Sequence, residues 1–210
     1  MRYPYLLWQL DGALFNTTGA IRRALGAALA DCGATITGGE LDDLLATVDS
    51  ALISAAAARF GVPRQALQGG WEARYRAILL RDQPPFPGAV DLCRRAVEAG
   101  GRNYAFSFRH TRDMERSLAA YGLTDLFTGW LADDSGGADQ PALALLVAAC
   151  SLPPGTALVI SGRRRDAELA RALGLAACLV RTPEAAGDFS VFPTHTALET
   201  FLFGPGDVVS

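Results

Sequence analysis

The sequence predicts an α/β protein built on a mainly parallel sheet, with an all-helical segment inserted near its start. Three observations predict it. A short apolar strand, "LLWQL", runs directly into Asp11-Gly12. Residues 17–83 carry apolar side chains at three- and four-residue spacing, with no strand-like alternation. Beyond Pro84-Pro85-Phe86-Pro87-Gly88, short apolar strands and amphipathic helices alternate to the end of the chain.

The elements follow in order. Leu6–Leu10 reads as a buried strand ending in a loop at Asp11-Gly12. Ala20–Ala30 is a helix that stops at Gly33, Glu40–Phe60 a second that ends at Gly61-Val62-Pro63, and Arg64–Arg81 a third. The proline cluster at 84–87 punctuates the chain and ends the insert. Ala89–Ala99 is then a helix closed by Gly100-Gly101, Asn103–Ser107 a strand, Thr111–Tyr121 a helix and Phe127–Leu131 a short strand. Pro141–Cys150 is a helix, Ala157–Ser161 a strand, Asp166–Leu173 a helix closed by Gly174, and Ala177–Val180 a further strand. His195 falls at or near a helix start. A length of 210 residues suits one core with a smaller insert. The boundaries read as 1–16 and 84–210 for the core and 17–83 for the insert.

Composition narrows the function. Half of the residues are hydrophobic and the net charge is -3, which gives no general attraction to nucleic acid or to an acidic membrane surface. No run of 18 apolar residues occurs, and the first residues lack the basic, apolar and cleavage segments of a leader. A cytoplasmic location is expected. Cys32, Cys93, Cys150 and Cys178 form no C-x-x-C pair and read as buried free thiols. All 19 basic residues are arginine. The chain therefore has no lysine to form a Schiff base or to set an ammonium against a phosphate.

In a parallel α/β sheet, ligands bind beyond the carboxyl ends of the strands. Four loops lie there: Gln9–Asn16, Ser107–His110, Asp133–Gln140 and Ser161–Asp166. Taken in order with the helical insert after the first, they resemble the four signature loops of the haloacid dehalogenase (HAD) superfamily, in its phosphoglycolate-phosphatase-like branch. The "PPFPG" return and the phrases "LAAYGLTDLFTGWLADD" and "DAELARALGL" are similar to that family's linking segments. The resemblance covers nearly the whole chain and implies a Rossmann-like core with an inserted helical cap.

It also implies a chemistry that this chain does not match. In the family an aspartate at the end of the first strand attacks phosphorus. A second aspartate two residues later acts as acid and base. A hydroxyl after the second strand and a lysine in the third loop hold the phosphate, and acidic residues of the fourth loop help hold Mg²⁺. Here the nucleophile position is Gln9, and the acid/base position is Asp11, followed by Gly12. Ala13 stands where threonine is usual and Asn16 where an aspartate often follows. Ser107 keeps the hydroxyl, Phe108 replaces the usual asparagine, and Gln140-Pro141 stands for Lys-Pro. In "VISGRRRD" the register set by the following helix puts Ser161 on the family's glycine, Gly162 on the metal-binding aspartate and Asp166 on the later acid. Matching Gly162 to the glycine instead puts Arg163 on the aspartate. Both registers lose the carboxylate.

A glutamine amide is a very poor nucleophile and brings no charge to Mg²⁺. Losing one member of a coupled nucleophilic site costs on the order of 10⁴–10⁶ in rate. The sequence therefore does not predict an ordinary phosphatase. A haloacid dehalogenase needs the same missing aspartate. Two function classes remain. One is a pseudoenzyme that binds a small anion (phosphorylated, carboxylate or acyl-thioester) or a partner protein, with no cofactor. The other is an enzyme running metal-independent proton transfer, elimination or cyclisation through Asp11, aided by Ser107, His110 or an arginine.

Each candidate has a plainer reading beside it. Asp11 and Ser107 also suit turn-capping roles, and His110 suits a solvated loop. Arg163, Arg164 and Arg165 suit a solvated face, yet they occupy a loop where the family keeps acids, and Arg109 lies in the neighbouring loop. Arginine binds carboxylate or phosphate in a bidentate fork, so these positions could turn a cation site into an anion site. Gln9, Gly12, Asn16, Arg109, Gln140, Arg163, Arg164 and Asp166 are the expected ligand contacts. Trp8 and Phe15 are expected in the core, and Trp71, Tyr75 and Phe60 in packing of the insert.

Overall fold

A computed structural model of the chain describes residues 1–47, 52–107, 109–132, 142–153, 155–182 and 187–204. The chain divides into two compact units, Met1–Asn16 with Pro85–Ser210, and Thr17–Pro84.

The larger unit is a six-stranded parallel sheet. Its strands are β1 (Tyr5–Gln9), β2 (Arg102–Ser107), β3 (Phe127–Ala132), β4 (Ala157–Ser161), β5 (Ala176–Val180) and β6 (Ser190–Phe192). Their order is β3-β2-β1-β4-β5-β6, and every neighbouring pair is parallel. β1 is thus central, hydrogen-bonded to β2 on one side and β4 on the other, at the point where the winding reverses. That topological switch is where open α/β sheets hold ligands.

Strand alternation divides the core. Leu6, Trp8 and Ile160 pack with Leu92, Cys93, Met114, Leu118, Leu198 and Leu202 on one face. Leu7, Phe106 and Val159 pack with Leu143, Leu146 and Ala170 on the other. Strands buried on both faces read as continuous apolar runs rather than alternating ones. Asn103 is a buried polar residue within these runs. Its carboxamide accepts from Trp8 Nε1 at 3.0 Å and donates to the carbonyls of Cys93 at 2.9 Å and Leu126 at 3.0 Å, so its burial carries no unpaired group.

The smaller unit has four described helices: α1 (Thr18–Asp31), α2 (Gly38–Thr47), α3 (Leu52–Phe60) and α4 (Arg64–Ala77). Leu25, Leu29, Leu41, Leu44, Ala56 and Leu67 form its core. Thr37 and Glu40 make a reciprocal capping box at the start of α2, with Thr37 N donating to Glu40 Oε2 at 2.9 Å and Glu40 N to Thr37 Oγ1 at 3.3 Å. The segment expected as one helix over 40–60 is two helices, with 48–51 outside the described residues. The expected helix to Arg81 stops at Ala77. Ile78 and Leu79 turn extended, and a single 3-10 turn at Leu80–Asp82 leads to the prolines.

The remaining helices of the larger unit are α5 (Ala89–Glu98), α6 (Thr111–Ala120), α7 (Ala142–Cys150), α8 (Arg164–Ala172) and α9 (His195–Phe203). α8 begins two residues before the expected Asp166, because its first turn is the arginine run, which has no apolar periodicity to mark it. β6 was not expected. Three residues are too few to show a period, and pairing with β5 alone defines the strand. Cys93 and Cys178 are buried free thiols as expected, whereas Cys32 and Cys150 are only half-buried.

Candidate functional site

The loop after β1 is folded back on itself. Leu14 N donates to Gln9 O at 3.2 Å, Phe15 N to Leu10 O at 2.9 Å, and Gly12 N to Phe15 O at 2.9 Å. Gly12 sits at φ +92°, a left-handed conformation that favours glycine. The tight loop brings Gln9 and Asp11 to the carboxyl edge of the sheet, between the ends of β2 and β4.

Those two flanking strands end in the same Ser-x-Arg spacing, Ser107 with Arg109 and Ser161 with Arg163. In each, the serine Oγ accepts from the arginine backbone N at 3.0 Å. Each serine then donates to an aspartate: Ser107 to Asp11 Oδ2 at 2.9 Å, and Ser161 to Asp166 Oδ2 at 2.7 Å. A short hydroxyl that ties its own backbone is free to turn its proton to a neighbouring acid. Both serines are fully buried.

Arg109 adds its side chain to the first of these pairs. Its Nε donates to Asp11 Oδ1 at 2.8 Å and one terminal nitrogen to the same oxygen at 2.5 Å. The other terminal nitrogen donates to Ser117 Oγ at 3.1 Å. The two side chains are only 7% and 8% exposed. Burial alone would raise the Asp11 pKa, and the Arg109 guanidinium opposes it. Together with the charge of Arg163 and the Ser107 hydroxyl, it holds the carboxyl below its ordinary value. Asp11 is an ionised, multiply bonded carboxylate.

Gln9 is the opposite case. It is fully buried, and among the described residues neither its Oε1 nor its Nε2 has a hydrogen-bond partner. Its Oε1 lies 3.7 Å from where a Cβ on Gly12 would stand.

The other expected site residues fall in varied places. Asp166 is buried against Ser161, and Arg163 is half-buried within electrostatic reach of Asp11. Arg164 points elsewhere: its Nε donates to Glu168 on its own helix at 2.8 Å, and its side chain is 50% exposed. Arg165, His110 and Asn16 are exposed, and His110 is the N-cap residue of α6. Gln140 and Phe108 lie outside the described residues. The arginine run is thus divided by the helix, with one member near the site and two on the surface.

One residue was missed. His195, assigned no role from the sequence, is fully buried, and its Nε2 hydrogen-bonds the carbonyl of Ala13 at 2.8 Å. Its ring lies between Trp8 and Phe86, at centroid distances of 5.9 and 5.8 Å. It props the loop that carries Asp11. No local signal marks it, since it stands 182 residues from Ala13.

The resemblance implies Mg²⁺, and the described residues do not fit it. Gln9 offers no charge. A Cβ at Gly162 would stand 2.6 Å from the carbonyl oxygen of Gly12, so the position of the expected metal-binding aspartate is closed by backbone. Both oxygens of Asp11 are engaged by Arg109 and Ser107. Among the described residues no group of three acidic, histidine or cysteine side chains comes together as a metal site.

No protein-family model matches the sequence, and none of the curated proteins does. Solved structures match closely in shape. A predicted phosphatase from Clostridium acetobutylicum superposes with a TM-score of 0.82 at 15% identity, covering 96% of this chain and 99% of that one. CbbY from Rhodobacter sphaeroides, solved with phosphate, gives 0.75 at 20% identity over 93% and 96% of the two chains. A Bacteroides fragilis protein named as a haloacid dehalogenase-like hydrolase gives 0.78 at 16% identity over 91% and 97%. At such identities the likeness is one of fold.

Proposed function

We propose that this chain, which carries the fold of the haloacid dehalogenase-like phosphatases, has given up phosphoryl transfer. In this reading it acts as a binding protein for a small anionic molecule at the carboxyl edge of its sheet. The observation that carries the reading is the Arg109 fork on Asp11. A carboxylate that must donate a proton and then activate water needs a pKa near the working pH and an open oxygen. Asp11 has its pKa held down, one oxygen taken by a guanidinium and the other by Ser107. The same facts weigh against the alternative of a metal-independent enzyme using Asp11 as acid and base.

Arg163 supports the ligand class, because it brings a second guanidinium to the same loop from the other flanking strand. The test is thermal unfolding of the purified protein against phosphorylated metabolites, carboxylates and coenzyme A thioesters, with and without Mg²⁺. A bound ligand at about 100 times its Kd adds roughly 2.7 kcal/mol and moves the midpoint by several degrees. A shift that needs no Mg²⁺ is the expected outcome. Mg²⁺-dependent hydrolysis of a phosphate monoester by the unaltered protein would overturn the reading.

A further inference from the structure

We propose that Arg181 is a second anion contact at the carboxyl edge of the sheet, and that the ligand held there carries two separate anionic groups. The inference rests on the binding-protein reading above and deepens it, with Arg163 taking one group and Arg181 the other.

Register brings the two arginines to one level. β4 and β5 are parallel neighbours whose last paired residues are Ser161 and Leu179. Arg163 and Arg181 each stand two residues beyond that pair, on strands about 4.8 Å apart. Both bear on the loop that follows β1. The charge of Arg163 reaches Asp11. The Arg181 guanidinium lies 4.5 Å over the Phe86 ring, and Phe86 N donates to Leu14 O at 2.9 Å. Phe86 also stacks on His195, which is hydrogen-bonded to Ala13 O.

The backbone directs Arg181 to this place. A strand continued through it would send its side chain to the face opposite Val180. Instead the residue turns left-handed, at φ 55°, while its N donates to Phe192 O at 3.0 Å. That turn lays the guanidinium over Phe86, which packs on the same face as Val180. Such a conformation costs an arginine energy and points to a function for the side chain it positions.

The guanidinium so placed is available. Arg109 is bonded to Asp11 and Arg164 to Glu168. Arg181 is exposed and, among the described residues, has no carboxylate partner. Its contact with Phe86 uses the positive charge but none of the N–H donors, which stay open to a carboxylate or phosphate. Arg163 is half-buried, so both groups are in reach of a molecule arriving from solvent. A ligand with one anionic group can meet one of them, and a ligand with two can meet both.

Succinate and 3-phosphoglycerate carry two anionic groups, whereas acetate and inorganic phosphate carry one. In calorimetric titrations with chelator present, at least one two-group probe should bind tenfold or more tighter than either one-group probe. Preference for succinate would assign carboxylates to both contacts, and preference for 3-phosphoglycerate a phosphate to one. Arg181→Asn, which tolerates the left-handed turn, should weaken the preferred probe about tenfold and leave acetate and phosphate unchanged. Arg181→Lys, which keeps the charge, should recover part of the loss. A residue that only holds the turn would weaken all four probes alike. That result, unchanged affinity in Arg181→Asn, or no tighter binding by either two-group probe would each overturn the proposal. The wild-type titrations decide even if a variant folds poorly. Failure here leaves the binding-protein reading standing, because one anionic group at Arg163 satisfies it and only phosphate-ester hydrolysis removes it.

Discussion

Arg109 closes its guanidinium on Asp11 Oδ1 through two donors, at 2.8 and 2.5 Å, with both side chains almost wholly buried. The carboxylate that follows the central strand is therefore neutralised from within the chain. In the family that the sequence resembles, the carboxylate at this position works as acid and base.

Breaking that pair from either side should be costly. Arg109→Met leaves the buried Asp11 carboxylate, among the described residues, with only Ser107 and the charge of Arg163 to offset its burial, at a cost of up to about 3–5 kcal/mol. Asp11→Asn strands the guanidinium instead. The double variant Arg109→Met with Asp11→Asn should lose less than the two single losses added together. Urea unfolding of the four proteins measures the coupling. Additive losses would show that the pair does not act as a unit.

Acid sensitivity should come in two separate windows. His195 is buried neutral, with its pKa lowered to about 4 by burial, against an ordinary value of 6.5. Between those values the unfolded chain binds the proton and the folded chain does not. Stability therefore falls as pH drops from about 6.5 to 4, by up to about 3 kcal/mol. His195→Phe should flatten that window while leaving the lower one. Asp11, whose folded pKa lies below 3.8, contributes stability that is present above that value and is lost only as pH falls through its lowered pKa. Unfolding midpoints from pH 7 to pH 2.5 distinguish the two, and an unchanged slope in His195→Phe would refute the assignment.

Gln9→Met should stabilise the unliganded protein by about 1–2 kcal/mol, since it replaces an unpaired buried amide with an apolar side chain of similar volume. A destabilised variant would mean that the amide is paired in solution.

Restoring the family's carboxylates should not restore its chemistry. Gly162→Asp drives a Cβ against the Gly12 carbonyl at 2.6 Å and should cost about 1–3 kcal/mol. Gln9→Asp combined with Gly162→Asp should remain without Mg²⁺-dependent phosphatase activity, because Arg109 still holds Asp11 and the chain has no lysine. Robust turnover by the double variant would overturn this account of the site.

Much of the fold was legible locally. The strand at residues 5–9, the strand–helix alternation after the prolines and the helical insert each rest on short-range periodicity, and each is present. What was missed has no local signature. The exposed three-residue β6 exists only through its partner strand, and the start of α8 hides in a polar arginine run.

The sequence by itself determined which residues stand where the resembled family keeps its catalytic groups. Gln9 at the nucleophile position, Gly162 or Arg163 at the metal-binding position and the absence of lysine are properties of residue identity and need no coordinates. Only the tertiary structure decided what surrounds those positions. Arg109 and Asp11 stand 98 positions apart, and Arg109 and Arg163 come near Asp11 only because β2 and β4 flank β1. Which arginine turns inward and which stays in water, whether an amide finds a partner, and whether a carbonyl fills the space of a missing side chain are set by long-range packing. Residue spacing along the chain carries no record of that packing.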